Sequence, residues 1–472
     1  MIDLVLLLAV PFLYLRGLKR PELVLLGWLL LSPLSYDMLV VMGVDLRVVS
    51  FDRLCLLISI LTLQAHGELR NLFRPRLSRL EKAFLIFISI FLLEAVMKFS
   101  PRDAFSIATS ALDTYIIPFY LFLYTRYLLT RYGNYDHQLE GKIVLMLAIV
   151  GLYCAPMGIF EGLTSIDLMQ GPGTDTLRLK GGDRPRANGP FWAPGVLGAY
   201  LSWTLLLVLY RWKLRHLADA VTRPLPKAVT ASYSLLMVVG LYFVMFRNAW
   251  LGFLGGWLLR FAFTTRGRVA LLLLCALGYV GFELVGDTFA KSEVYQDRVS
   301  NMENVYDRLG AWLYAFKAFS ENPLTGIGTG QIKYYIRYEQ EYGEDLRVMD
   351  IPATYHPHNT ILAKLAELGL LGVVPFCFIL WYFVGEVRGC LRLSRSPADF
   401  EFGIYAVSAA FAILAPGLTD RCFEWAKSNN IMYVIFGLIA AHHIKLRELD
   451  NVESPDAIHG HILSDPAISV AR

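Results

Sequence analysis

His356 and His358 bracket Pro357 directly ahead of an apolar stretch, and Asn359 follows them. Imidazole titrates close to neutrality, so a histidine at the edge of a membrane helix suits a general base that takes a proton from a hydroxyl group. Asn359 is a good N-cap for a short helix over 360–368, which would seat His358 at the helix entrance. Two rival readings stay open. The i, i+2 pair could supply two zinc ligands, although no third His or Cys is near in sequence, or His358 could simply hold the loop in place.

Arg247 interrupts the apolar run Val244–Leu251. The stretch 228–263 is too long for one helical crossing and has basic loops on both sides, so two crossings with a tight turn at Arg247 satisfy both facts. A charge this close to hydrocarbon is costly and usually functional, the alternative being a side chain that snorkels to the interface. Arg184 and Arg186 lie in a Gly/Pro-rich segment, 181–190, just before a helix expected near Phe191. Guanidinium groups bind phosphate oxygens through paired donors, which makes these arginines a natural clamp for a lipid diphosphate without a metal. The chain contains no D-x-D motif, which disfavours a metal-dependent glycosyl transfer site.

These residues need a membrane scaffold to place them. The 472 residues are 56% hydrophobic and 18% charged, with a mean hydropathy of +0.47, which indicates an integral membrane protein. Strand alternation is absent, so the expected fold is all-α: a polytopic bundle of about 12–13 spans. Candidate crossings are 2–15, 22–40, 51–65, 83–99, 104–125, 143–160, 191–210, 228–246, 249–263, 269–286, 370–387, 401–418 and 429–444. Every second connection is short and basic, for example Arg70, Arg74, Arg76, Arg79 and Lys82 after the third span. The positive-inside rule then puts those loops in the cytoplasm, the N-terminus outside and the C-terminus inside. Residues 2–15 lack a basic leader and a cleavage site, so a first span is expected there and not a cleaved signal. A net charge of +4 is too small to argue for nucleic acid. The six cysteines are scattered with no C-x-x-C pairing and read as small buried hydrophobes, a Cys154–Cys422 disulfide being the one alternative.

The organisation that follows is 1–160 N-terminal helices, 161–190 an outer loop, 191–445 a core that includes the long outer loop 288–369, and 446–472 a polar tail expected to be disordered. Within the long loop, Leu309, Trp312, Leu313, Phe316 and Phe319 share one helical face, and Asn322-Pro323 ends that helix. A turn-rich linker over 323–330 follows. Tyr334, Tyr335, Tyr338 and Tyr342 come next among charged residues, as an interfacial aromatic belt or as a sugar-stacking surface.

Taken together, these motifs resemble the O-antigen ligase and polymerase superfamily. The ligase signature H-[NSQ]-x9-G-x-x-G is matched by His358-Asn359 through Gly369 and Gly372, and R-x3-L by Arg247 through Leu251. The segment 186–191 is similar to the family's arginine-containing stretch before a membrane helix, and Arg308 through Gly330 to its R…W…NPLxGxG stretch. The resemblance spans roughly residues 180–385. It implies a GT-C-type, metal-independent, inverting glycosyltransferase of the bacterial inner membrane, needing no cofactor, with its site facing the periplasm. The implied donor is an undecaprenyl-diphosphate-linked oligosaccharide; the acceptor would be lipid A core, another lipid-linked glycan or a protein. Carried over, Arg186 and Arg247 would bind the diphosphate, His358 would deprotonate the acceptor, and Arg184, Asn359, His356 and Arg308 would line the substrate. His356 is an extra imidazole beside the motif, and it leaves the choice of base open. A lipid-linked oligosaccharide flippase and a non-catalytic scaffold of an export complex are the rivals from other classes.

Overall fold

In a computed structural model of the protein, the residues described are 2–35, 39–41, 44–46, 49–73, 77–98, 101–132, 138–166, 168, 186–191, 193–214, 226–290, 303–342, 356–420 and 422–452. They form an all-helical bundle: α1 Ile2–Gly17, α2 Glu22–Leu31, α3 Phe51–Ala65, α4 Arg79–Lys98, α5 Pro101–Ala111, α6 Ile117–Tyr132, α7 Gln138–Thr164, α8 Pro194–Leu214, α9 Lys227–Val244, α10 Arg247–Leu259, α11 Thr265–Ala290, α12 Glu303–Glu321, α13 Ile332–Tyr342, α14 Thr360–Arg392, α15 Pro397–Gly417 and α16 Ala426–Val452. Six of the helical stretches are long and apolar enough to cross a bilayer by length and composition. The protein is a multi-pass membrane helix bundle.

Several boundaries differ from expectation. The span expected over 22–40 stops at Leu31, continues as a short 3-10 turn over Ser32–Leu34, and gives way to a two-stranded antiparallel hairpin, Leu39–Val41 with Val44–Leu46. The short helix expected over 360–368 and the span expected over 370–387 do meet at a break, at Gly369, and both lie within α14, the second part running on to Arg392. At the C-terminus α16 runs on to Val452, into the segment expected to be tail, and the remainder of that tail lies outside the described residues. All six cysteines are free thiols, so the Cys154–Cys422 pairing does not occur, and Cys275 and Cys377 are exposed where burial was expected.

Charged pairs sort to the two ends of the bundle. Arg126 with Glu81, Lys213 with Glu401 and Arg395 with Asp450 join segments expected on the basic side. Lys427 with Asp52 (2.6 Å), Arg53 with Asp113 (2.7 Å) and Lys98 with Glu94 (3.5 Å) join segments expected on the other. In hydrocarbon each charge must find a partner or reach the interface, and the alternation of basic and non-basic loops anticipates that sorting. Between the ends the core is continuous. There α16 packs along α6, α10 along α15, and α14 along both α4 and α15.

The break in α14 is what lets it carry the site. Gly369 has φ +60° and ψ −158°, outside helical values, so the backbone groups around it lose their intrahelical partners. The segment 323–328 takes them over. Leu370 N donates to Pro323 O (2.9 Å), Leu371 N to Leu324 O (3.1 Å), Ile327 N to Ala366 O (2.9 Å) and Gly328 N to Glu367 O (2.9 Å). A break in a helix survives when neighbouring backbone satisfies the freed groups, and the turn-rich linker does so here. Both strands of this contact require glycine: a Cβ on Gly369 would meet Leu324 backbone at 2.5 Å, and one on Gly326 would meet Glu367 backbone at 2.3 Å. Gly369→Ala therefore meets a left-handed backbone penalty of roughly 1–3 kcal/mol together with this clash, and should lower the melting temperature of the detergent-solubilised protein and its yield.

A small satellite core made by Ala311, Tyr314, Ala315, Ala318, Ile332, Ile336 and Ala366 seats α12 and α13 on the N-terminal part of α14. An ion pair between Lys317 and Glu339 (2.6 Å) locks these two helices together. Of the tyrosines in α13, Tyr334, Tyr338 and Tyr342 are exposed, as either an aromatic belt or a stacking surface requires.

Candidate active site

The site begins where α14 begins. Asn359 caps the helix, its side-chain oxygen accepting from Leu362 N (3.0 Å) while its amide donates to Leu418 O (2.9 Å). That residue therefore ties the start of α14 to the end of α15. Immediately before it, His358 has φ +45°, in the left-handed region that a side chain enters only at a cost. The backbone is pinned in this state from both sides. Trp312 Nε1 on α12 donates to Pro357 O (2.6 Å), and Thr360 Oγ1 donates to Asp420 O (2.9 Å).

Asp420 is the partner that no local spacing announced. Its Oδ1 lies 3.4 Å from His358 Nδ1, and its Oδ2 lies 3.5 Å from Asn248 Nδ2, which also reaches Thr419 O at 3.4 Å. The side chain of His358 keeps 30% of its surface exposed while that of Asp420 keeps 7%. A carboxylate on Nδ1 fixes the ring's orientation and leaves Nε2 as the nitrogen able to take a proton. These contacts are long for formed hydrogen bonds, as is common before a substrate closes a site.

Asn248 brings in the next element. The expected turn at Arg247 exists: α9 ends at Val244, its cap Met245 is left-handed (φ +51°), and Arg247 opens α10. Arg247 is exposed at this helix start, where the macrodipole adds positive potential to its own charge. The Arg186 segment docks on the same turn. Ala187 N donates to Phe243 O (3.2 Å), and Glu161 at the end of α7 accepts from Asn188 N (2.8 Å) and Gly189 N (2.7 Å). Glu161 is 2% exposed, so it shapes this segment from beneath without facing solvent. Among the described residues, the non-glycine positions with positive φ are Ser165, Met245 and His358. They close α7, close α9 and precede α14, and all three belong to this end of the bundle, where strain is retained for geometry.

His358, Asn359 and Thr360 thus meet the 418–420 turn, Asn248 reaches the same turn from the position after Arg247, and the backbone beside Arg186 bonds to Phe243 near the end of α9. Arg308 lies on α12 one turn before Trp312 and is half-buried. His356 is half-buried two residues ahead of the histidine that meets Asp420. Arg184 lies outside the described residues. Cys422, two residues past Asp420, offers no thiolate: burial pushes its thiol well above the ordinary range, and the Asp420 charge adds to that. Sequence reasoning missed Asp420, Asn248 and Glu161; the only available signal was their position as polar residues at the outer ends of expected spans.

Residues 232–377 match the O-antigen ligase family. The matched ligase region contains Arg247, Asn248, Arg308, His358, Asn359 and the Gly369–Gly372 pair, and its expected resemblance is confirmed. A protein of Rickettsia conorii that bears the provisional name polysaccharide ligase is 23% identical over 110 residues, which is 23% of this chain and 27% of that protein. The chain therefore aligns with about a quarter of that relative's length. Arg186, Glu161 and Asp420 fall outside the matched ligase region, and the fold joins them to it.

Proposed function

We propose that the protein is a membrane glycosyltransferase that moves a glycan from a lipid diphosphate carrier to an acceptor hydroxyl, in assembly of a bacterial surface polysaccharide. The observation that carries this reading is the meeting of two arginine-bearing backbone segments with a carboxylate-backed histidine at one end of a membrane bundle. Support also comes from the family match over residues 232–377.

In this mechanism Arg186 and Arg247 hold the diphosphate of an undecaprenyl-linked donor in the outer leaflet. Their donors, with the start of α10, stabilise the charge that builds on the leaving diphosphate, so no metal is required for that task. The acceptor oxygen attacks the anomeric carbon from the face opposite the diphosphate, and the bond from that carbon to the phosphate oxygen breaks. Configuration inverts. The proton of the attacking hydroxyl passes to His358 Nε2, while Asp420 stabilises the resulting imidazolium through Nδ1–H. The Asp420 contact, which orients the His358 ring and leaves Nε2 to take the proton, is the reason to assign the base to His358. Asn359, Arg308 and Arg184 are assigned to binding of the glycan or the carrier headgroup. The acceptor class, whether lipid A core, a second lipid-linked repeat or a protein, is not distinguished by these residues.

A second reading has one specific observation in its favour: the break in α14 at Gly369, since broken helices with buried charges are also the hallmark of transporters. One experiment separates the two. Purified protein is placed in vesicles that contain an undecaprenyl-diphosphate oligosaccharide and an acceptor glycan. New glycosidic linkage with release of undecaprenyl diphosphate supports the transferase; movement of the donor between leaflets without new linkage supports transport and ends the proposal.

A further inference from the structure

The stretch of chain that carries the histidine, residues 356–364, meets Asp420 and is joined a second time to residues 422–424 beyond it. Lys364 Nζ lies 3.0 Å from Glu424 Oε1 and 3.8 Å from Glu367 Oε2. This lysine is 2% exposed, and its ammonium sits 5.5 Å from the centre of the Tyr115 ring. Tyr115 is held in that place by a π-helical turn, Leu112–Ile116, between α5 and α6. Such turns concentrate at functional sites because they rotate one side chain out of helical register.

The cluster reaches further through Glu367, whose Oε1 accepts from Gly330 N (2.9 Å). The adjoining loop is gripped by α4, with Thr329 Oγ1 donating to Glu94 Oε2 (2.9 Å) and Lys98 Nζ donating to Thr325 O and Gly326 O (2.6 Å each). Lys364 thus stands where the helix behind His358, the loop bearing Asp420, the linker that repairs α14 and the N-terminal helices all meet. An apolar side chain could fill this space at least as stably, because burying ion pairs costs desolvation that their attraction only partly returns. What the ion pair adds is a directional contact that favours one register between the two segments.

We infer that Lys364 and Glu424 are positioning residues for the proposed site: their buried ion pair sets His358 against Asp420. The contact above it is 3.4 Å long and partly exposed, and the Asn359–Leu418 and Thr360–Asp420 bonds beside it hold the backbone but not the imidazole itself. The assignment of a catalytic consequence rests on the function proposed above; the geometric claim does not.

The test uses the full-length protein carrying Lys364→Met together with Glu424→Met, which removes both charges and keeps side-chain volume. A cryo-EM structure of this variant should show His358 Nδ1 and Asp420 Oδ1 moved beyond hydrogen-bond reach. In the transfer assay kcat should fall about 10²-fold, as an ångström-scale misplacement does, with KM for the donor unchanged. Adding Asp420→Asn to the same background should then cost nothing more, although it lowers kcat in the wild type, because the two defects act through one contact. A purely structural pair predicts additive losses and an unmoved histidine. If the double variant does not accumulate, Glu424→Gln, which keeps an acceptor for Lys364, is expected to show a kcat loss of the same kind, smaller in size, again at constant KM. An unchanged His358–Asp420 separation, or unchanged kcat in Glu424→Gln, overturns the inference. Wild-type protein that forms no linkage at all would fault the functional reading, while the measured separation would still decide the positioning role.

Discussion

His358→Ala is expected to accumulate in the membrane at wild-type levels and to turn over roughly 10²–10⁴-fold more slowly, the usual worth of a general base. The backbone around it is held by bonds that do not involve the imidazole: Trp312 to Pro357 O, Asn359 to Leu418 O and Thr360 to Asp420 O. Removing the ring therefore empties the site without releasing the loop. His356→Ala should cost less than His358→Ala, since the Asp420 carboxylate 3.4 Å from His358 Nδ1 orients that ring for proton transfer at Nε2. Measuring product formation in both variants against the amount of folded protein checks the assignment. Full activity in His358→Ala would remove its assigned role, and loss in His356→Ala alone would transfer the role to the neighbour.

Arg247→Ala should lower kcat by about 10²–10³-fold, the range for one preorganised charge donor at a developing oxyanion. The cause is local. Arg247 opens α10, so its charge and the helix N-terminus act on the same point. Arg247→Lys keeps the charge and loses the two parallel donors, and should recover only part of the rate. Varying the donor concentration separates the effects: loss of transition-state stabilisation appears in kcat, whereas loss of simple carrier binding would appear in KM alone. Neither substitution disturbs Asn248, which faces Asp420 from the next position.

Much of this arrangement could be read from the sequence because membrane insertion makes strong local demands. Runs of apolar residues, basic loops on alternate connections and an arginine between two short crossings each follow from the energetics of hydrocarbon, so the bundle and the Arg247 turn were legible. The helix at Asp307–Phe319 and the cap at Asn359 were legible for the same reason, since periodicity and capping act within a few residues. Asp420 was not, because 62 residues separate it from His358 and nothing local marks a carboxylate as the partner of a distant ring. The Gly-x-x-G pattern was visible, but its cause was not: Gly369 is required by the approach of the 323–328 linker, a tertiary contact. The N-terminal helices carried only generic membrane character in sequence, yet Glu94, Lys98 and Tyr115 wall the region behind His358. Burial of charge has no signature until the partner is known.

The central claim is that one pocket at the end of the bundle receives a lipid diphosphate between Arg186 and Arg247, with its sugar within reach of His358. A cryo-EM structure of the protein in a nanodisc with an undecaprenyl-diphosphate oligosaccharide tests it most directly. The account predicts phosphate oxygens paired with both guanidinium groups and the anomeric carbon facing His358 Nε2 across a gap that one acceptor hydroxyl fills. Diphosphate density at the opposite end of the bundle, or a sugar that no acceptor on His358 could reach, would contradict it.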